Sequence, residues 1–392
     1  MLEQFDEHYD AYIDRHGSGS IKWDVYDPDV IPMWIADMDF RAPEPVLEAL
    51  HRRVEHGIFG YQFDFAPLRE HIIERLKTRH HIDAQPDQIH YLPGLVSGLT
   101  VMARAVGEPG SGILIQQPIY PPFIGTTTAN QRVINSARLV RQQQGNRLHY
   151  EIDFDALEAA ITPETRLFLF CNPHNPVGRV YTRAELEHIA DICLRHDLIL
   201  CSDEIHCDLL LDDNQHISIA SLSPEIADRC VTLLAPSKTY NIAGLGCSFA
   251  VIHNPELARR FHAAAEWILP AVNNFGYTAA LAAYRDSQAW LDDTLHYLTA
   301  NRDALVDYMT AHLPDYPLTV PEATYLAWID FRALPIETSP YKFFVEQARV
   351  ALNDGAAFGP CGEGYVRMNF ACPRATLIEA LDRMRAAIER LA

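Results

Sequence analysis

Lysine is scarce in this chain: of 32 basic residues only Lys22, Lys77, Lys238 and Lys342 are lysines, so an amine that does chemistry has four candidates. Lys238 closes the segment CVTLLAPSK, directly after an apolar run that reads as a strand. Two other polar groups come after apolar runs in the same way. RLFLFC leads into NPHNPVG at 172–178, and LILCS leads into Asp203, Glu204 and then His206. In a parallel sheet, the segments leaving the strands gather at one edge, where ligands bind. Each group has a plain alternative. NPHNPVG has the composition of a turn, and most lysines are simply solvated. Asp203, Glu204, His206 and Asp208 have metal-ligand side chains, but on an extended chain alternate residues point to opposite faces, which splits the set. Taken jointly, a Lys, an Asp and an Asn at neighbouring strand ends suit pyridoxal phosphate. The lysine forms a Schiff base with the aldehyde, the Asp keeps a proton on the pyridine nitrogen, and the Asn bonds the phenolic oxygen. A phosphate needs backbone N–H groups at a helix start. YLPGLVSGLTVMARAV supplies Gly94, Ser97 and Gly98 at the opening of an apolar helix.

The elements that must position these groups are those of an α/β layer fold. Near-continuous apolar runs at 112–115, 166–171, 198–204, 230–235 and 246–252 read as strands covered on both faces. Between the second and third, Thr182 and Glu185 form a capping box, followed by a stripe of Leu186, Ile189, Ala190, Cys193 and Leu194 at helical spacing. That makes 166–204 a strand–helix–strand unit with parallel strands and a right-handed crossover. Helical patterns fill about 255–312; alternating segments (LTVPEATYLAWIDF, GYVRMNFAC) and a closing helix come after them. The division expected is an N-terminal segment, 1–45, packing with the small domain, a large cofactor-binding domain, 46–285, and a small α+β domain, 286–392.

Composition excludes other classes. With 392 residues, 48% hydrophobic and 21% charged, the chain is neither a disordered nor a fibrous one. A net charge of −20 opposes nucleic-acid and anionic-membrane partners. The longest uncharged stretch, 109–131, carries four prolines and does not read as a membrane span. The acidic start MLEQFDEHYD lacks the apolar core of a signal peptide. Eight cysteines without a C-x-x-C pair, mostly inside apolar runs, read as buried free thiols in the cytoplasm.

Seven ordered motifs between residues 32 and 374 carry a family resemblance: PMWIADMDF, HGIFGY, PGLVSGL, CNPHNPVGR, SDEIHCDL, APSKTYNIAGL and VRMNFACPR. The chain resembles fold-type I pyridoxal-phosphate enzymes of the class-I/II aminotransferase superfamily, and within it the MalY/PatB-type carbon–sulfur β-lyases. The resemblance implies a large domain with a mainly parallel, helix-covered sheet plus a smaller α+β domain. It makes Lys238 the Schiff-base lysine, Asp203 the pyridine partner, and Asn175, rather than Asn172, the bond to the phenolic oxygen. It stacks Tyr120 on the cofactor ring and places His206 where many relatives have a tyrosine. Backbone N–H groups of Leu95 and Val96, with Ser237, hold the phosphate. Arg367 grips the substrate carboxylate, as suits a guanidinium fork, and Ala36 lines the substrate side. Tyr61 reaches the phosphate of a neighbouring subunit, which implies a homodimer.

The implied reaction is β-elimination from cystathionine or cysteine S-conjugates, giving a thiol, pyruvate and ammonia. Two rivals stand beside it: an aminotransferase on the same scaffold, and a transcription-regulator-binding protein that retains the cofactor. Many aminotransferases of the superfamily carry an Arg eight residues after the lysine. Here that position is Gly246, and the lyase branch also lacks the Arg there.

Overall fold

The apolar runs become a seven-stranded sheet because both of its faces are covered. In chain order its strands are β1 (Ile89–Leu92), β2 (Gly112–Gln117), β3 (Val133–Arg138), β4 (Thr165–Cys171), β5 (Ile199–Asp203), β6 (Cys230–Leu234) and β7 (Ser248–Ile252). They lie side by side in the order β1-β7-β6-β5-β4-β2-β3. Strands β3, β2, β4, β5 and β6 are parallel neighbours. β7 runs against both β6 and β1, so the sheet is mixed at that edge. The structure is a computed structural model and describes residues 9–62 and 65–391; most of the acidic N-terminal run lies outside them.

Alternation along the strands feeds two cores. Leu167, Leu169, Cys171, Cys201, Val231 and Leu233 face one side, with Leu99 and Met102 of the helix Leu95–Ala105. Phe168, Phe170, Leu200 and Leu234 face the other, with the helix Arg183–Arg195. The capping box of that helix forms: the Glu185 N–H donates to Thr182 Oγ1 at 3.3 Å, and Glu185 Oε2 accepts the Thr182 N–H at 2.8 Å. Its buried stripe holds Leu186, Ile189, Ala190 and Cys193 but takes Ile192 in place of Leu194, which is exposed. Leu194 sits at the edge of the stripe on a helix advancing 100° per residue.

A third core joins the long helix Gln288–His312, the closing helix Arg374–Glu389 and a six-stranded sheet that includes Leu326–Asp330 and Tyr365–Asn369. The hairpin Val140–Gln144 and Arg147–Glu151 adds its strands to that sheet from the middle of the chain. The N-terminal segment docks on the same core through Met33, Met38 and Phe40. Ile31–Pro32 pairs in parallel with Val350–Ala351. This carries residues 34–40 across the edge of the large sheet where the strand ends converge.

Candidate active site

A cavity of about 200 Å³ opens at the carboxyl ends of β4, β5 and β6. It is lined by Asp203 at the end of β5 and by Lys238 in the short helix Pro236–Thr239 after β6. Asn175 reaches it from the turn after β4, and Tyr120 from the N-terminus of the helix Pro121–Ala129 after β2. Leu95, Val96, Ser237, His206 and Ala36 also stand in the wall, whereas Arg367 does not line the cavity and reaches it through Asn175. The first N–H groups of a helix have no partner within it, so the helix starting at Leu95 turns free donors towards the cavity.

The local wiring explains the placement. The Tyr120 N–H donates to the Asn175 carbonyl at 3.1 Å and the Asn172 N–H to the Asp203 carbonyl at 3.0 Å, which ties three strand ends together. Residues 203 and 204 point to opposite sides, as alternation on a strand requires, but His206 lies beyond the strand end and lines the same cavity as Asp203. Asp203 faces the cavity, whereas the buried Glu204 turns away and accepts from Ser202 at 2.8 Å, Ser218 at 2.9 Å and His216 at 2.8 Å. Asp208 lies beside His80 and Cys207 but is engaged by Arg75 at 2.6 Å.

Electrostatically the site is a set of ionisable groups held with few partners. Among the described residues, the Lys238 amine donates to the Ala36 carbonyl at 2.6 Å and meets no carboxylate at ion-pair distance. Its pKa is pushed down to about 8, chiefly by burial, with Asp37 and Asp203 opposing the shift and Arg367 adding to it. The buried Asp203 carboxylate accepts the Ile205 N–H at 3.1 Å, and burial pushes its pKa up to about 7. His206 is pushed down to about 3 by burial and by the nearby Lys238 and Arg367, so its imidazole is neutral. Arg367 in the strand Tyr365–Asn369 donates to Asn175 Oδ1 at 3.0 Å, to Asn353 Oδ1 at 2.6 Å and to the Trp34 carbonyl at 3.4 Å. It lies 4.9 Å from the Phe358 ring centroid. Its Nε has no hydrogen-bond partner among the described residues, and burial pushes its pKa down to about 10. Tyr61 is fully exposed and is not part of this wall.

The family profile for aminotransferase class I and II matches residues 28–384. The chain belongs to the aminotransferase class I and II family. Among its relatives, cystathionine beta-lyase PatB of Bacillus subtilis (strain 168) is 37% identical over 388 residues, 97% of this chain and 99% of that protein. The crystal structure of OvoB superposes with a TM-score of 0.92 at 43% identity, covering 97% of this chain and 98% of that one. Cystalysin from Treponema denticola, whose crystal structure contains pyridoxal 5'-phosphate, superposes with a TM-score of 0.93 at 33% identity, covering 98% and 99%.

This member of the aminotransferase family has Gly246 in the left-handed region, at φ +60, and a Cβ there would come within 3.1 Å of the Pro93 carbonyl. An arginine at that position would be strained, so the glycine suits the local backbone. Several residues of the site escaped the sequence reading. Cys171 lines the cavity at the end of β4, a place that strand counting alone identifies. Asn241, three residues after Lys238, clamps the N-terminal segment by donating to the Met38 and Phe40 carbonyls at 3.0 and 2.8 Å. Asn353 and Tyr325 come from distant segments and carry no local signal.

Proposed function

We propose that this protein uses pyridoxal phosphate to break the carbon–sulfur bond of cystathionine or other cysteine S-conjugates by β-elimination. The products are a thiol (homocysteine from cystathionine), pyruvate and ammonia. One observation carries the reading: Lys238 and Asp203 line one cavity, Arg367 hydrogen-bonds its wall residue Asn175, and among the described residues none of the three has an ion-pair partner. Buried charges without partners are costly, and such clusters mark sites completed by a ligand. The full-length likeness to a cystathionine beta-lyase and to a cystalysin that contains the cofactor supports the same reading.

The residues fit that cofactor. Lys238 is a primary amine with a depressed pKa, available to an aldehyde near neutral pH. Asp203 is a carboxylate lacking the counter-charge that a protonated pyridine nitrogen supplies. The helix start at Leu95 and Val96, with Ser237, offers N–H and hydroxyl donors to a phosphate. When bound, the cofactor draws off the negative charge that forms at the substrate Cα.

The remaining roles belong to the chain. Lys238 takes the proton from Cα and hands one to the departing sulfur. The sulfur leaves Cβ with the bonding pair, and the three-carbon fragment adds water to end as pyruvate and ammonia. With the cofactor bound, Asp203 would hold a proton at the ring nitrogen, Tyr120 would lie against the ring, and Asn175 and His206 would supply hydrogen bonds to it. Arg367, Asn175 and Ala36 hold the substrate, the guanidinium gripping its carboxylate. Tyr61 completes the phosphate site of a second copy, so the working form is a homodimer. Residues 46–285 form the cofactor-binding unit and 286–392 the small domain, with which the N-terminal segment packs through its described residues from 9 to 45. No helix among the described residues is long and apolar enough to cross a membrane, and eight free thiols favour a reducing cytoplasm.

A substrate panel tests the function: cystathionine, cystine, S-alkyl cysteines and alanine, with pyruvate and thiol read out. Thiol and pyruvate in equal amounts, without an added keto acid, are expected from the sulfur substrates. Transfer of the amino group to an added keto acid with no thiol released would make the protein an aminotransferase instead.

A further inference from the structure

We propose that Tyr325 is a positioning residue for Lys238: its hydroxyl holds the Ala36 carbonyl against which the lysine amine rests. The inference rests on the reading of Lys238 as the cofactor-binding amine. One carbonyl oxygen takes both donors, the Lys238 amine at 2.6 Å and the Tyr325 hydroxyl at 2.9 Å. A carbonyl has two lone pairs and can accept both. Tyr325 is almost wholly buried, and its ring stands edge-on to His206 with centroids 6.2 Å apart.

The backbone is built to aim this side chain. Thr324, the residue before it, has φ +74, a conformation that is an outlier for a β-branched residue. Strain of this kind persists only where the surroundings over-determine it, and such residues cluster at functional sites. Here the Thr324 N–H donates to the Leu209 carbonyl at 2.8 Å and the Phe370 N–H to the Tyr325 carbonyl at 3.0 Å. The Leu326 N–H donates to Thr324 Oγ1 at 3.1 Å. The pinned segment links the strand Leu326–Asp330 to the chain just beyond the Asp203 turn, and the tyrosine projects from it to the N-terminal loop at Ala36.

Two donors on one acceptor draw on the same charge, so each weakens the other. Tyr325 thereby fixes the resting point of the Lys238 amine and loosens the carbonyl's hold on its ammonium form. Removing the hydroxyl leaves Ala36 wholly to the ammonium and favours the charged amine. Asp37 and Asp203 favour the charged amine as well, and Arg367 opposes it; His206, packed on the tyrosine, is neutral.

The test is Tyr325→Phe, which keeps the ring and removes one oxygen. Apoprotein is mixed with pyridoxal phosphate across pH 6–10, and the rate of covalent uptake is measured by absorbance. Uptake needs the neutral amine, so its midpoint tracks Lys238. The variant is expected to move that midpoint upward by about half a pH unit, the size of one modest hydrogen bond. With cystathionine, kcat should fall about three- to tenfold and KM stay within about twofold, with an unchanged thermal midpoint. An uptake midpoint and kcat equal to those of the wild type would overturn the role of Tyr325 while leaving the lyase reading intact. A wild-type protein that never takes up the cofactor covalently would end both.

Discussion

Residues 36–39 form a strap with a lysine and an aspartate at each end, and the two ends are wired in opposite ways. At one end the buried Lys22 amine donates to Asp39 Oδ2 at 2.8 Å and to the Asp37 carbonyl at 3.2 Å. Asp39 also accepts from Arg15 at 2.6 Å and from the Trp23 indole at 2.9 Å. At the other end Lys238 meets the Ala36 carbonyl, and Asp203 accepts a single backbone N–H from Ile205. Both ends contain a buried carboxylate. Among the described residues, only the first has counter-charges at ion-pair distance, which is what lets a buried ion pair persist. The comparison teaches how to tell a structural charge from a working one in this molecule. A satisfied cluster anchors the strap, and an unsatisfied one awaits a ligand.

Two substitutions test that contrast from both sides. Lys238→Ala should lower pyruvate release from cystathionine by about 10³-fold or more, the upper range for loss of a general acid–base group. Borohydride should no longer trap the cofactor, and the urea midpoint should hold or rise. Lys22→Ala should do the reverse. It leaves Asp39 buried with less positive charge and should cost about 3–5 kcal/mol in urea unfolding, while the protein that remains folded keeps its kcat. If Lys22→Ala unfolded at the wild-type urea concentration, the anchoring role of the paired cluster would be lost and the contrast with it.

Much of the fold and of the site is legible in the sequence, for definable reasons. The five strands announce themselves because strands covered on both faces must be apolar throughout. Lys238 and Asp203 are legible because they stand at or just beyond the ends of such strands, whereas Asn175 is told apart from Asn172 only by the family motif. Direction is not legible: an apolar run does not encode which way it points, and β7 runs antiparallel to its neighbours. Ile31–Pro32 and Val350–Ala351 are too short to show any period, yet their pairing sets the path of the strap. Arg367 is found through its motif, but its contacts with Asn175 and Asn353 join segments far apart in the chain, and no local pattern records them. Tyr325 is hidden for the same reason: its partner, Ala36, is 289 residues away.

The smallest expected effect is the most discriminating, because it asks whether Asp203 is unsatisfied in the apoprotein. Burial, reinforced by Glu204, raises its pKa from 3.8 to about 7. A carboxyl raised on folding binds its proton more tightly in the folded than in the unfolded chain. Its contribution to stability is therefore complete below about pH 4 and is lost as the pH rises through about 7. The apoprotein should accordingly lose stability across that window, on the order of 2 kcal/mol once water entering the open cavity is allowed for. Asp203→Asn cannot ionise, so its apoprotein should lack that part of the slope and melt above the wild type at pH 8. Cofactor should narrow the gap by supplying the wild type with a cationic ring nitrogen, even as the variant loses turnover. Thermal midpoints of both apoproteins between pH 5 and 8 decide the matter. Parallel curves would mean that the protein already satisfies the Asp203 carboxylate, placing it in the same class as Asp39 and erasing the distinction between the two ends of the strap.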